Sequence, residues 1–294
     1  MKSSEKEEKS VKRNVTHIYD ERFERVDSEE RAYWLGFLYA DGYNNPVKGY
    51  LGIKLARRDR GHLVKFCDFL KIKRNKIKTK APSTRICMGR KIYGNGSCTV
   101  TISGKTISRH LEKLGMVQAK SLILDFPSRK SVPKKFVRHF IRGYFDGDGC
   151  LTRSFFNRAV RYRVIFLGTL EFCNGLITEL KNIVPLKLWK RRGKVNVYPC
   201  VVSGNIQVSR LLEWMYSEAS VWLDRKYEKY QGFIENQNRI KQRKTSGYSM
   251  HNNITFDKSR NKWIAGVRVP HKTIYLGRFD SEAKALIAQR RASL

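Results

Sequence analysis

One short acidic phrase occurs twice in this chain. Its first copy is Trp34-Leu35-Gly36-Phe37-Leu38-Tyr39-Ala40-Asp41-Gly42 and its second is Ile141-Arg142-Gly143-Tyr144-Phe145-Asp146-Gly147-Asp148-Gly149. Each is an apolar helical run with a mid-helix glycine that ends in Asp-Gly. The carboxylate therefore falls at the carbonyl end of a helix, where the macrodipole disfavours negative charge by about 0.3 kcal/mol or more. Helix stability does not select an acid there.

The small residues recur with helical spacing. Gly36 and Ala40 lie four apart, as do Gly143 and Gly147, so each helix carries a smooth stripe on one face. An interior glycine costs about 0.5–1 kcal/mol relative to Ala, and close backbone approach to another helix offsets that cost. The simplest partner is the other copy. Parallel packing of the stripes would bring Asp41 and Asp148 side by side at one end. Two bare carboxylates there repel, and a divalent cation taking hard oxygen ligands relieves the repulsion. The bland alternative, that each acid only stops a helix beside a glycine, does not account for the duplication.

On these residues the chain resembles the LAGLIDADG homing endonucleases of the single-chain, two-repeat kind. Asp41 and Asp148 match the family's metal-binding acid, and Gly42 and Gly149 the glycine after it. Tyr39 departs from the family's earlier Asp and Asp146 keeps it; that position is not the metal ligand. The resemblance implies an α+β fold of two pseudo-symmetric αββαββα repeats whose saddle-shaped sheets bind double-stranded DNA. It implies Mg²⁺ (or Mn²⁺) held by Asp41 and Asp148 with Ala40 and Gly147 contributing to the metal sites, and Ca²⁺ supporting binding without cleavage. It further implies cutting of one phosphodiester per strand in a long, asymmetric site, leaving 3′ overhangs, by a monomer acting as a pseudo-dimer in intron homing.

Composition agrees. Sixty Lys and Arg against 26 Asp and Glu give a formal charge of +34, and such a chain expects a polyanion. No apolar stretch reaches the roughly 18 residues that span a bilayer, so a membrane protein is not expected. Residues 1–18 read as a charged tail without the apolar core of a signal peptide. The six cysteines show neither CxxC pairing nor zinc spacing with His, which points to reduced thiols. The expected setting is the cytoplasm of a bacterial or phage-infected cell ahead of an organelle.

Other features recur near the offset of the motif acids. Phe66-Cys67 and Phe172-Cys173, Ser108-Arg109 and Ser209-Arg210, and Lys120 and Lys226 all repeat, so the chain reads as a tandem duplication with small indels. Repeat 1 spans 19–130 and repeat 2 spans 131–234. Asp27 with Glu30 suggests a capping box for the first motif helix, and Pro133 lies in the run that opens the second. Strands are expected at Leu51–Ala56, Cys98–Ser103, Arg161–Leu167, Leu186–Trp189 and Val195–Val202, with helices at Gly61–Leu70 and Leu170–Leu180. Their outer faces would turn Lys54, Arg161 and Arg163 toward the major groove, which accepts strand ribbons. The basic turn with Lys190, Arg191 and Arg192 would join the last two strands.

Lys120 and Lys226 stand at matching distances after the motif acids. A chain this basic supplies lysine pairs by chance, but Leu223-Asp224-Arg225-Lys226-Tyr227 resembles the family's lysine-bearing segment, which gives both a catalytic role. Asp59, before Gly61-His62-Leu63, reads as a helix cap. The histidines are scattered and do not form an HNH nuclease pattern.

From Glu235 to Asn252 the chain turns polar and reads as a basic linker. Residues 253–294 then suggest a three-stranded sheet with one helix N-capped by Ser281. Trp263-Ile264-Ala265-Gly266-Val267-Arg268 and Ile274-Tyr275-Leu276-Gly277-Arg278-Phe279 resemble the ethylene-response-factor (AP-two) DNA-binding domain. By alternation Ala265, Val267, Ile274 and Leu276 face the helix, and Arg268, Thr273 and Tyr275 face out, toward the major groove in that family. Two other functions remain open on the same fold: a DNA-binding regulator and an RNA maturase. Both motif acids are present, against the first, and the added DNA-reading unit favours DNA over RNA.

Overall fold

The computed structural model describes residues 20–88, 90–156, 159–189, 196–245, 253–269 and 272–292. The proposed tail, the basic turn with Lys190, Arg191 and Arg192, and the second half of the proposed linker lie outside the described residues. Two compact units divide the chain, Met1–Lys229 and Tyr230–Leu294.

The first unit writes one plan twice. It begins with α1 (Glu29–Asp41), β1 (Gly42–Asn45), β2 (Tyr50–Ala56), α2 (Arg60–Leu70), β3 (Lys78–Lys80), β4 (Ser83–Cys87), β5 (Arg90–Gly94), β6 (Ser97–Ser103) and α3 (Lys105–Lys113). It repeats as α4 (Val137–Asp148), β7 (Cys150–Phe156), β8 (Ala159–Gly168), α5 (Leu170–Leu180), β9 (Lys187–Leu188), β10 (Tyr198–Ser203) and α6 (Asn205–Tyr216), and α7 (Asp224–Thr245) follows. The sheets run β1-β2-β6-β3 and β7-β8-β10-β9, the same order in both, with antiparallel neighbours. This is the α+β arrangement of two αββαββα repeats expected from the sequence. Repeat 1 adds the hairpin β4–β5 between its last two strands, which the sequence reading missed because its side chains are exposed and show no clean alternation.

Alternation builds each half-core. In repeat 1, Leu51, Ile53 and Leu55 of β2 and Cys98, Val100 and Ile102 of β6 bury one face, while Lys54 and Lys78 flank Thr99 on the other. In repeat 2, Tyr162, Val164 and Phe166 of β8 are buried with Cys200 and Val202 of β10. Each fully buried apolar side chain contributes about 1.5–3 kcal/mol. Between the sheets' inner faces α1 lies against α4, through backbone contacts that leave no room for side chains on Gly36 and Gly143.

Local details correct three expectations. Ser28, not Asp27, caps α1, accepting from the Arg31 N–H; Asp27 instead pairs with Arg25 and Arg31. Asp59 stands at the N-cap position of α2 without making a cap bond, because its carboxylate is bound elsewhere, as described below. Residues 235–245, read as linker for their polarity, continue α7. The six cysteines are free, with Cys87 and Cys150 exposed, and among the described residues no helix is long and apolar enough to cross a membrane.

In the second unit, β11 (Ile254–Asp257), β12 (Lys262–Val269) and β13 (Lys272–Phe279) form an antiparallel sheet covered by α8 (Glu282–Ala292). Ile254, Ala265 and Ala285 make its core with Trp263, Leu276, Phe279 and Leu286 around them. The strict alternation expected here fails at one point. A bulge after Ala265 lets that residue pair Gly277 while Gly266 pairs Tyr275, and Ile274, expected under the helix, is 44% exposed. Arg268, Thr273 and Tyr275 are exposed as expected.

Candidate active site

The two motif helices end in the same way. Gly42 and Gly149 return their N–H groups to the carbonyls of Leu38 and Phe145 while the chain leaves in extended conformation. A Cβ on either glycine would collide with that same helical turn, so glycine is required by space, and a strand follows within two residues of each acid, at Gly42 and at Cys150. The stripe that joins the helices continues to this end. A Cβ on Gly147 would meet the Ala40 Cβ at 2.3 Å and would stand 3.5 Å from Asp41 Oδ2. The carboxylate of one motif thus lies against the residue preceding the acid of the other.

The pair is electrostatically uncomfortable. Burial, then repulsion from Asp148, raises the Asp41 carboxyl to about 6, against the pull of Lys120, Lys226 and Arg225. Burial also raises Asp148, although part of its side chain reaches solvent, and Lys120 and Lys226 oppose the shift. For both acids the cost of burial outweighs the pull of the neighbouring cations.

Two buried lysines stand over these helix ends. Lys120 donates to the Ala40 carbonyl at 2.8 Å. Lys226 donates to the Phe145 carbonyl at 3.0 Å and to the Gly149 carbonyl. Burial lowers both ammonium groups, that of Lys226 to about 8, while nearby carboxylates hold them up. They reach matching places by different routes. Lys120 follows Ala119, whose φ of 54° is left-handed, and opens a single 3-10 turn; Lys226 lies in the first turn of α7. A cavity of about 190 Å³ opens at the first site, lined by Ala40 and Lys120 from repeat 1 and by Asp148, Tyr144 and Leu167 from repeat 2. Each repeat supplies part of it.

Asp146, the acid two positions before Asp148, is fully buried and holds the scaffold. It accepts from the hydroxyls of Tyr33 and Tyr216 and from the Leu223 N–H. Tyr33 gives its proton to Asp146, so His62 Nε2 donates to the Tyr33 oxygen at 3.1 Å. At the matching position of repeat 1, Tyr39 donates to the Leu114 carbonyl at 2.6 Å. Either residue ties its motif helix to the segment leading to its lysine. The far end of the helix pair is bound by Arg142, which donates to Glu29 at 2.6 Å and to the carbonyls of Val221 and Met215. None of these ties shows in the periodicity of the sequence.

Of the expected DNA-facing residues, Lys54, Arg161 and Arg163 lie on the first unit's strands, on the faces opposite the buried ones. Lys54 is exposed on β2. Arg161 is exposed on β8, and Arg163 lies over the Trp189 ring at 5.6 Å. Tyr43 and Tyr50, which the sequence reading did not select, share the face of Lys54; Tyr43 crosses Gly52 and pairs its hydroxyl with that of Thr101. Arg268, Thr273 and Tyr275 belong to the second unit.

Duplicated αββαββα repeats with their motif helices packed together define the fold of the LAGLIDADG endonucleases. The chain is similar to the LAGLIDADG homing endonuclease I-GzeII in complex with a DNA target, at 12% identity and a TM-score of 0.50, over 76% of this chain and 93% of that one. The LAGLIDADG meganuclease I-AabMI bound to uncleaved DNA matches at 15% identity and a TM-score of 0.47, over 72% and 91%. Full-length DUF199/WhiA from Thermatoga maritima matches at 15% and 0.41, over 76% and 67%. No family model matches the chain, and no curated protein matches its sequence. The likeness to I-GzeII establishes the fold.

Proposed function

We propose that this chain is a site-specific double-strand DNA endonuclease of the LAGLIDADG homing kind, a monomer whose two repeats act as a pseudo-dimer. The observation that carries this reading is the meeting of Asp41 with the Gly147-Asp148 end of the other motif, flanked by Lys120 and Lys226. The I-GzeII structure, in complex with its DNA target, supports the partner, and so does the +34 charge of the chain.

The donors suit Mg²⁺ or Mn²⁺. Two carboxylates raised by burial and mutual repulsion gain from a hard cation between them. Among the described residues no cluster of three or more His, Cys, Asp or Glu gathers, so the remaining ligands would be backbone, water and phosphate oxygens, as is common for Mg²⁺. Asp41 and Asp148 would hold the metal, with the carbonyls of Ala40 and Gly147 beside it; that of Ala40 already accepts from Lys120 and has one lone pair left. When bound, the cation polarises the scissile phosphate and makes its water more acidic. Lys120 and Lys226, held in place by main-chain carbonyls, stabilise charge growing on the phosphate or tune the attacking water. The products would carry 3′ overhangs from a long, asymmetric site.

Lys54, Arg161 and Arg163 on the outer sheet faces, with Lys190, Arg191 and Arg192, would meet the major groove. The second unit would act as an AP-two-like domain, with Arg268, Thr273 and Tyr275 as its groove contacts. Incubation of the full chain with Mg²⁺ and a randomised DNA library, followed by sequencing of the ends, tests the whole reading. Recovery of one long consensus with staggered 3′ ends supports it, as does binding without cutting in Ca²⁺. Retention of a consensus with no ends in Mg²⁺ or Mn²⁺ would leave a DNA-binding regulator instead.

A further inference from the structure

The segment that carries Lys226 is held by the opposite repeat. Arg225 directs Nε at both oxygens of Asp59, at 2.9 and 3.0 Å. Asp59 is only 7% exposed, and it belongs to the turn that opens α2 in repeat 1. Further along α2, Lys65 donates to the Trp222 carbonyl at 3.0 Å and to Asp224 at 2.6 Å, and its ammonium lies 5.7 Å from the centre of the Trp222 ring. Residues 222 to 225, which lead into α7, are thus fastened to the start and middle of α2 immediately before Lys226.

Repeat 2 holds the Lys120 segment by neutral contacts instead: Asn196 Nδ2 donates to the Leu122 carbonyl at 2.9 Å. The residue before Lys120 is Ala119, which offers no charge, and Thr169, at the N-cap position of α5 that corresponds to Asp59, caps its own helix and donates to the Leu124 carbonyl. The two lysine segments are therefore fastened by different chemistry, an ion pair at one and neutral hydrogen bonds at the other. A buried carboxylate needs a partner, and a charge-assisted hydrogen bond orients more firmly than a neutral one.

We propose that Asp59 is a positioning residue for Lys226: through Arg225 it sets the reach of that lysine in one of the two cleavage sites, so that loss of the pair slows one strand's cut and leaves the other intact. The inference rests on the nuclease reading above. It makes the two fastenings differ in kind, since repeat 1 holds the Lys226 segment by charge and repeat 2 holds the Lys120 segment by neutral hydrogen bonds.

The test uses the full chain with two substrates carrying a site recovered from the library: a supercoiled plasmid, and a linear fragment with each strand end-labelled in turn. Asp59→Asn keeps the shape and removes the charge. Arg225→Gln is the second variant, since Arg225 is partly exposed and a glutamine amide can still donate to the Asp59 carboxylate. Both variants should cut one strand about tenfold or more slowly, always the same strand, so that nicked circles accumulate where the wild type yields linear product. The double variant should be no worse than either single one. Affinity for the uncut site in EDTA should stay within about twofold, because neither residue lies on an outer sheet face. Equal slowing of both strands, or opposite strands affected by the two variants, would overturn the proposal while leaving the nuclease intact. A wild-type chain that cuts neither strand would remove the nuclease reading, and this inference with it.

Discussion

Gly36 lies so close to the Phe140 carbonyl that a Cβ on it would stand 2.0 Å from that oxygen, and Gly143 faces the Tyr33 carbonyl at the same distance. No rotamer relieves a clash with backbone. Gly36→Ala or Gly143→Ala should therefore separate the motif helices and destabilise the first unit by about 3 kcal/mol or more, read as a lowered urea midpoint. Gly61 and Gly232 are helical glycines with open space around the missing Cβ. Their Ala variants should stabilise by about 0.5–1 kcal/mol each. Loss of stability at all four positions would mean that glycine is needed for something other than helix contact.

The raised Asp41 carboxyl makes metal-free stability depend on pH in a defined direction. Its folded value of about 6 lies above the usual carboxylate range, so the folded state binds the proton more tightly than the unfolded chain does. The stabilisation from protonation is fully present below about pH 4 and is lost as pH rises through 6. In EDTA, Asp41→Asn should raise stability at pH 7.5 by about 1–3 kcal/mol relative to the wild type, and the gain should vanish near pH 4. Mg²⁺ should stabilise the wild type and not Asp41→Asn/Asp148→Asn, a double variant that also abolishes cleavage. Thermal melts of each protein across this pH range, with and without Mg²⁺, are the measurement.

What the sequence made legible was local. The helical spacing of Gly36 with Ala40, and of Gly143 with Gly147, was enough to expect the packing of α1 on α4 and the meeting of Asp41 with Asp148. The repeat offset brought out Lys120 and Lys226. Contacts across the duplication were not legible, because Arg225 with Asp59 and Tyr33 with Asp146 join residues 166 and 113 positions apart without any periodic trace. Asp59 read as a cap because a carboxylate before a helix usually is one. Residues 235–245 read as linker because polar side chains conceal a helix that has no apolar stripe over that stretch.

Lys120 and Lys226 differ from ordinary phosphate contacts in being buried at the helix ends. Lys120→Met and Lys226→Met should each slow cleavage by on the order of 10²-fold and leave affinity nearly unchanged. A lysine that only touched a phosphate would instead reduce the salt slope of binding by about one and weaken it. Single-turnover rates and salt-dependent binding on the same variants distinguish the two, and the second pattern would return both lysines to the role of helix-end caps.

The second unit is self-contained in its core: Ile254, Ala265 and Ala285 bury one another with Trp263, Leu276, Phe279 and Leu286 around them. Both motif acids precede it. A chain ending at Gln242 should therefore keep metal-dependent cleavage while losing affinity, and its footprint on DNA should shorten on one side only. A tethered module adds binding through effective concentration without touching the chemistry. In the full chain, Arg268→Ala should reproduce part of the loss, about 1–3 kcal/mol if the guanidinium reads a guanine, and Tyr275→Ala a smaller part. Ile274→Ala serves as the comparison, since that side chain is exposed and alternates along β13 with Thr273 and Tyr275, and its loss should leave DNA affinity unchanged. A footprint of unaltered length after truncation would show that the unit does not hold the target and has a different partner.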